Sequence, residues 1–564
     1  MKKFKDMVYE RPDIGGVKAQ LRALGESLKT ESDLEKAKEI FMDVLNCIRK
    51  VNTMETLADI RNTLDMTDVF YEQEMEYFHQ ENPGLELEKE GFFQILLNSP
   101  YLDQLKETYG DFYFTRLSHM SRLVSEKNVE RKVKESRLVQ RYAKCSATAV
   151  TEFEGETLNF YGLLKKMQDT NREVRRKALH AWADLYQSIA GELDQIYSEL
   201  VQVRCEMAEN LGFSDYVEMA YLMRERYSYG REEVGRFRDG IVKYVVPLCQ
   251  KLFEEQRERL GIEKLYYYDE ALVFPDGNVY PEGTPEEMLN QAQKMYGEMS
   301  AETAEFFGFM REHELFDLET RPGKQPGGYC TFLDTEKAPF IFSNFNGTSA
   351  DVDVLTHEAG HAFEAYTSSR QGYLVEQAFS TSEIDEIHSM TMEFFAYPWM
   401  GLFFGEEKEK YIYAHLADCL QVIPYMACVD EFQQHVYEDR LTDADARYRL
   451  WHELEAKYLP WRSYGGHGFL EKGGFWMQKQ HIFMYPFYYI DYALAQMGAF
   501  EYLIRMEEDR KEAWNDYYRL CCAGGSQGYF ELLKIGNLSN PFQEETVEKI
   551  VKQLEDRFFT SHKN

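Results

Sequence analysis

The stretch 172–210, REVRRKALHAWADLYQSIAGELDQIYSELVQVRCEMAEN, repeats apolar residues at three- and four-residue spacing and contains no proline. That is the period of one buried stripe on an α-helix. A run this long is far beyond an ordinary strand, so it commits the surrounding chain to helical packing. The same period returns over 32–80, 285–312, 407–437 and 476–505, while glycine and proline punctuate 225–230, 262–284 and 321–328. The expected class is mainly α, with turns at the punctuated stretches.

Two short regions depart from the helical period. Over 327–345, GGYCTFLDTEKAPFIFSNF, aromatic and β-branched residues form two runs around a polar turn, which predicts a small β-hairpin. An exposed strand edge there would suit an extended peptide held by main-chain hydrogen bonds. Segment 265–280, LYYYDEALVFPDGNVY, reads as a second short strand pair around Asp276-Gly277. Near 165–170 the sequence passes from a mixed polar stretch into the long helix, dividing an N-terminal helical lobe (1–168) from a helical region (169–564).

The hairpin leads into DVDVLTHEAGHAFEAY (351–366). On a helix, His357 and His361 lie four positions and about 40° apart, so both imidazoles reach one ion. Glu358 points about 100° away from His357, placed to hold a water rather than to ligate beside the histidines. Five residues thus supply two neutral nitrogen ligands and a carboxylate base, the pattern of a zinc hydrolase. Val352, Leu355, Ala359, Ala362 and Phe363 fit a buried helix, with Thr348 or Ser349 as its cap.

A catalytic zinc needs a third protein ligand and an open position for water. A third histidine of the metzincin kind would stand at Thr367, which excludes that class. The segment 376–393, EQAFSTSEIDEIHSMTME, offers Glu376, Glu383, Asp385, Glu386 and Glu393. Glu386 and Glu393 share a helical face with Glu383 nearby, so spacing alone leaves the choice open. His388 lies about 200° round the helix from Glu386 and reads as a core or supporting residue. For the oxyanion of peptide hydrolysis, HIFMYPFYYIDY (481–492) carries His481, Tyr485, Tyr488, Tyr489 and Tyr492. Tyr485, Tyr489 and Tyr492 have the spacing of one helical face. The five glycines of RSYGGHGFLEKGGFW (462–476) predict a flexible loop with His467 exposed.

Composition bounds the remaining classes. The 564 residues are ample for two lobes, and 29% charged with 44% apolar residues indicates a soluble globular protein. The formal net charge of −33 opposes nucleic acid and anionic membrane surfaces, so neither is an expected partner. Nine cysteines without a C-x-x-C pair read as reduced thiols in the cytoplasm. The lysines of MKKFKDMVYERPDIGG precede no apolar segment, and no run of 18 apolar residues occurs. Neither secretion nor membrane insertion is expected.

With these residues assembled, the chain resembles the oligoendopeptidase F and thimet oligopeptidase family of zinc metallopeptidases, in its bacterial Pz-peptidase-like branch. The resemblance covers most of the chain. It rests on LTHEAGHAF, DTNREVRRKALHAW (169–182), RCEMAENLGFSDY (204–216) and PFYYIDYALA (486–495). In that family the ligand glutamate falls 29 positions after the first histidine, here Glu386, and another glutamate follows seven residues later, here Glu393. The resemblance implies a two-lobed helical zincin of the neurolysin-like kind, with a small β element beside the active-site helix and a deep central channel admitting short peptides.

It also implies one zinc ion on His357, His361 and Glu386, with Glu358 as general base. His481 and Tyr492 would balance the oxyanion, and Tyr485 and Tyr489 would touch substrate. Glu393 and Asp353 are the candidates to orient the ligand imidazoles. The tyrosine spacing agrees with the thimet branch, whereas His481 lies one residue nearer to Tyr485. The expected activity is endopeptidase cleavage of short peptides. The alternatives are a metallocarboxypeptidase of similar helical type and a non-catalytic peptide-binding protein, against which the intact Glu358 speaks.

Overall fold

Side-chain caps start the long helices where the sequence period begins. Asp33 accepts from the amides of Glu35 and Lys36 at the head of α1 (Leu34–Leu64). A small hairpin follows later in the chain, β1 (Thr151–Phe153) and β2 (Glu156–Leu158). Asn171 then accepts from the Glu173 amide and opens α2 (Arg172–Leu211), which stops at Gly212 in a left-handed conformation, φ +80°. The computed structural model describes residues 1–559. It is 73% helical with two small sheets, the mainly α class expected from the period.

Two compact units are interleaved along the chain. The first comprises 1–125, 280–408 and 498–539; the second comprises 126–279, 409–497 and, among the described residues, 540–559. Within the first unit the hairpin expected over 327–345 is present. Strand β4 (Tyr329–Leu333) pairs antiparallel with β5 (Ala338–Phe345), from Tyr329 opposite Phe342 to Leu333 opposite Ala338. On its other side β5 pairs in parallel with β3 (Phe316–Glu319), so the order is β3-β5-β4 and β4 forms an edge. Central β5 is buried along nearly its whole length, as a strand covered on both faces must be. It leads directly into α3 (Ala350–Ser368), and α4 (Ser382–Ala396) packs along that helix.

In the second unit two buried arginines fix the chain around residues 483–491. Arg204 donates to the Phe483 carbonyl at 2.6 Å and to the Tyr437 hydroxyl at 2.8 Å. Arg226 reaches the Phe487 carbonyl and the Asp491 carboxylate, each at 2.5 Å. Phe487 sits at φ +62° between the short helix α5 (Gln480–Met484) and α6 (Tyr489–Ala523). A bulky residue at positive φ persists only where its surroundings hold it.

The strand pair expected over 265–280 is not formed. Tyr267–Glu270 is a helical turn, and Asp269 accepts from the Tyr266 amide at 3.1 Å. Asn278 accepts from the Val273 amide at 2.9 Å and donates to the Ala271 carbonyl at 2.7 Å. Short polar side chains have taken the backbone groups a ladder would have used.

Candidate metal centre

The start of α3 differs from the expected Thr348 or Ser349 cap. Ser349 precedes the helix but already has helical backbone angles, and its hydroxyl makes no capping bond. Asp351, one residue inside, instead accepts from the amides of Asn346 (2.9 Å) and Gly347 (2.7 Å). A carboxylate at this end also complements the helix dipole. The result anchors the loop leaving β5 to the first turn of the helix that carries His357, Glu358 and His361.

Helices α3 and α4 bring the two histidines and Glu386 to one point. The Glu386 Oε2 lies 3.2 Å from His357 Nε2 and 3.5 Å from His361 Nε2, and the three candidate ligand atoms all fall within 4.8 Å of one another. Ser389 Oγ donates to the same carboxylate oxygen at 3.0 Å. Behind the cluster, Glu393 Oε1 meets His357 Nδ1 at 2.6 Å. That contact leaves Nε2 as the nitrogen facing Glu386. Of the other carboxylates, Glu376 pairs with Arg49 at 2.7 Å and Asp385 accepts from the Ser380 amide at 2.8 Å. Glu383 is buried, and Asp353 lies in the first turn of α3.

The electrostatics describe a site built around positive charge. Burial favours an uncharged Glu386, yet His361 and His357 hold its carboxyl well below the usual range. Burial likewise favours neutral imidazoles, but Glu386 and Glu393 hold His357 well above its ordinary value, and Glu386 raises His361. Desolvation pushes Glu358 up despite the two neighbouring imidazoles. Glu358, Glu386 and Glu393 thus share a buried space with two imidazoles whose proton affinity the carboxylates raise. A divalent cation would displace the imidazole protons. Ligand atoms bound tetrahedrally at about 2.0–2.1 Å stand roughly 3.3–3.4 Å apart, which matches the two Glu386 to histidine separations. The donor set therefore fits one zinc-like ion.

Sequence reasoning missed a polar knot around Glu364 and His388. Glu364, one turn after His361, accepts from Ser380 Oγ at 3.0 Å and lies 3.3 Å from His388 Nε2. Cys521 Sγ lies 3.3 Å from His388 Nδ1, and the Tyr517 hydroxyl donates to the His388 carbonyl at 2.9 Å. Burial pushes Glu364 up to about 7 and His388 down to about 3. The available signal was Glu364 three residues after His361, a carboxylate on nearly the same helical face as the two histidines.

His481 and its tyrosines cluster in the second unit. The His481 ring lies 4.9 Å from that of Tyr489, 6.0 Å from Tyr485, 6.1 Å from Tyr488 and 6.2 Å from Tyr492. The expected single helical face of Tyr485, Tyr489 and Tyr492 is corrected here. Tyr485 ends α5 in a non-helical conformation, while Tyr489 opens α6. Pro486 disfavours helix at the residue before it. The exposed position expected for His467 is also corrected, because it is buried with Nε2 3.0 Å from Asp184 Oδ1. Close packing explains two of the five glycines, Gly473 and Gly474, whereas Gly465 and Gly466 sit at positive φ, +64° and +85°. A Cβ at Gly473 would stand 2.1 Å from the Tyr448 carbonyl oxygen, and one at Gly474 would stand 2.6 Å from Phe469.

Fold and cluster together define a class, helical proteins that set a His-Glu-x-x-His helix against one bearing carboxylates. The chain belongs to peptidase family M3, whose profile matches residues 166–552, with the Peptidase M3 N-terminal domain matching 4–122. It is similar to the solved structure of PZ peptidase A with inhibitor 2, at 42% identity, TM-score 0.94 and 98% coverage of each chain. An oligoendopeptidase F homolog of Borreliella burgdorferi is 22% identical over 344 residues, 58% of this chain and 57% of its own. The chromosomal oligoendopeptidase F of Lactococcus lactis subsp. cremoris is 24% identical over 313 residues, 53% and 49% respectively. The match spans about half the length of these two curated relatives.

Proposed function

We propose that this chain is a zinc-dependent endopeptidase that hydrolyses short peptides in a reducing, cytoplasmic setting. The observation that carries the reading is the convergence of His357 Nε2 and His361 Nε2 on Glu386 Oε2, at 3.2 and 3.5 Å, with Glu358 between the histidines on the same helix. A single zinc ion held by these three side chains would acidify a water and polarise the scissile carbonyl.

Glu358 takes the proton of the attacking water and returns it to the leaving nitrogen, a role helped by the burial that raises its proton affinity. Glu393 fixes the His357 ring through Nδ1. The edge strand β4 offers main-chain groups to an extended peptide. By the family resemblance, His481 and Tyr492 donate to the oxyanion, with Tyr485 and Tyr489 as substrate contacts.

The test is Glu358→Gln in zinc-loaded protein. Retained zinc with turnover of C-terminally amidated peptides reduced by about 10²-fold or more is expected. Near-normal turnover would overturn the general-base role. Internal cuts in those amidated peptides, mapped by mass spectrometry, distinguish an endopeptidase from a carboxypeptidase.

A further inference from the structure

The geometry points to Lys479 as the cation of a subsite for a peptide carboxylate, an inference that rests on the peptidase reading above. Lys479 immediately precedes α5, two residues before His481, and is half-buried. Its Nζ donates to the Tyr489 hydroxyl at 2.9 Å and lies 4.4 Å from the Tyr489 ring centroid and 5.5 Å from that of Tyr425. Tyr489 in turn packs its ring against His481, 4.9 Å away. Thus the ammonium stands in an aromatic corner of the cluster that contains the assigned substrate contacts.

The surroundings of Lys479 are aromatic rather than acidic. The chain has 97 Asp and Glu against 64 Lys and Arg, and some half-buried cations of the same unit are matched, while Arg224 and Arg259 rest on tyrosine rings as Lys479 does. Lys457 pairs with Glu431 at 2.8 Å and Arg462 with Glu270 at 2.7 Å. Among the described residues no carboxylate pairs with Lys479. An ammonium has three donors, and one is used on Tyr489. Two remain in a partly desolvated setting, where a charge-assisted bond to an anion is stronger than in water. The anions a peptide carries are its terminal carboxylate and the side chains of Asp and Glu.

The test measures binding and does not depend on turnover. Zinc-loaded protein carrying Glu358→Gln is titrated calorimetrically with N-acetylated short peptides that lack acidic side chains. Each is offered as free acid and as carboxamide, and a third form is amidated but contains one glutamate. The acid is expected to bind about 10- to 100-fold more tightly than the amide. The difference should vanish in Lys479→Met and Lys479→Gln and survive in Lys479→Arg. If the glutamate-bearing amide alone carries the Lys479-dependent gain, the carboxylate belongs to a side chain. A gain that persists without the lysine charge, or no gain for either carboxylate, overturns the assignment. Wild-type protein that cleaves no peptide would overturn the hydrolytic mechanism while leaving this measurement readable.

Discussion

A Cβ added at Gly360 would stand 2.5 Å from the Cα of Ser389 and 2.7 Å from the His388 carbonyl oxygen. Gly360 therefore lets α3 and α4 meet backbone to backbone. The contact immediately precedes His361 on one helix and follows Glu386 by three residues on the other. The separation that brings Glu386 to both imidazoles depends on this one missing side chain.

Gly360→Ala should push the helices apart, because the obstructing atoms are backbone and no rotamer change relieves them. Overpacking of this kind costs about 1–3 kcal/mol of stability. It should also lower zinc affinity, since the carboxylate and the imidazoles would no longer converge. Thermal melts of the metal-free variant and chelator competition measure the two effects separately. Wild-type zinc affinity in a folded Gly360→Ala protein would show that the close approach does not set the ligand geometry.

Zinc should stabilise the protein more as pH rises. In the metal-free chain, Glu386 and Glu393 raise His357 well above its ordinary value and Glu386 raises His361, although burial acts the other way. A histidine raised above its unfolded value of about 6.5 stabilises the fold fully below that pH and loses its contribution as pH climbs through the folded value. Zinc requires those nitrogens deprotonated, so each displaced proton weakens apparent affinity up to about tenfold per pH unit. The melting-temperature difference between zinc-loaded and chelated protein should therefore widen from about pH 6 to about pH 8.5. A difference that narrows over this range would contradict the assignment of both imidazoles as ligands.

Much of the helical frame was legible because its cause is local. The period of 172–210 and the cap at Asn171 suffice to define α2, and the two aromatic runs of 327–345 define the hairpin. His357 and His361 were readable for the same reason, since their spacing is a property of one helix. The carboxylate opposite them was not, because spacing within 376–393 leaves several residues on nearly one face and the packing of α4 on α3 is what brings Glu386 to the Nε2 atoms of both histidines. Asn278 and Asp269 defeated the strand reading of 265–280 through side-chain bonds that periodicity does not contain. The interleaving of the two units depends on contacts distant in sequence, which no local pattern encodes.

Glu393→Ala should weaken the centre without removing a ligand. Its Oε1 meets His357 Nδ1 at 2.6 Å, so its loss frees the ring to rotate and removes a charge that favours a positive site. Removal of such a partner costs about 10- to 100-fold in metal affinity or activity. Glu386→Ala should cost more, because it deletes a donor outright. Chelator competition on both variants gives the order, and a larger loss for Glu393→Ala would exchange the proposed roles of the two carboxylates.

The tyrosines should separate by kinetic signature. Tyr492 lies within α6 and Tyr489 opens it, whereas Tyr485 lies outside it and is 47% exposed. If Tyr492 donates to the developing oxyanion, its hydroxyl acts chiefly in the transition state. Tyr492→Phe should then lower kcat by about 10²- to 10³-fold with little change in KM. Tyr485→Phe, acting on bound substrate, should move KM by a few fold and leave kcat near wild type. The reverse pattern in steady-state assays on one peptide would reassign the donor to Tyr485, and losses confined to KM in both variants would remove the tyrosines from oxyanion stabilisation.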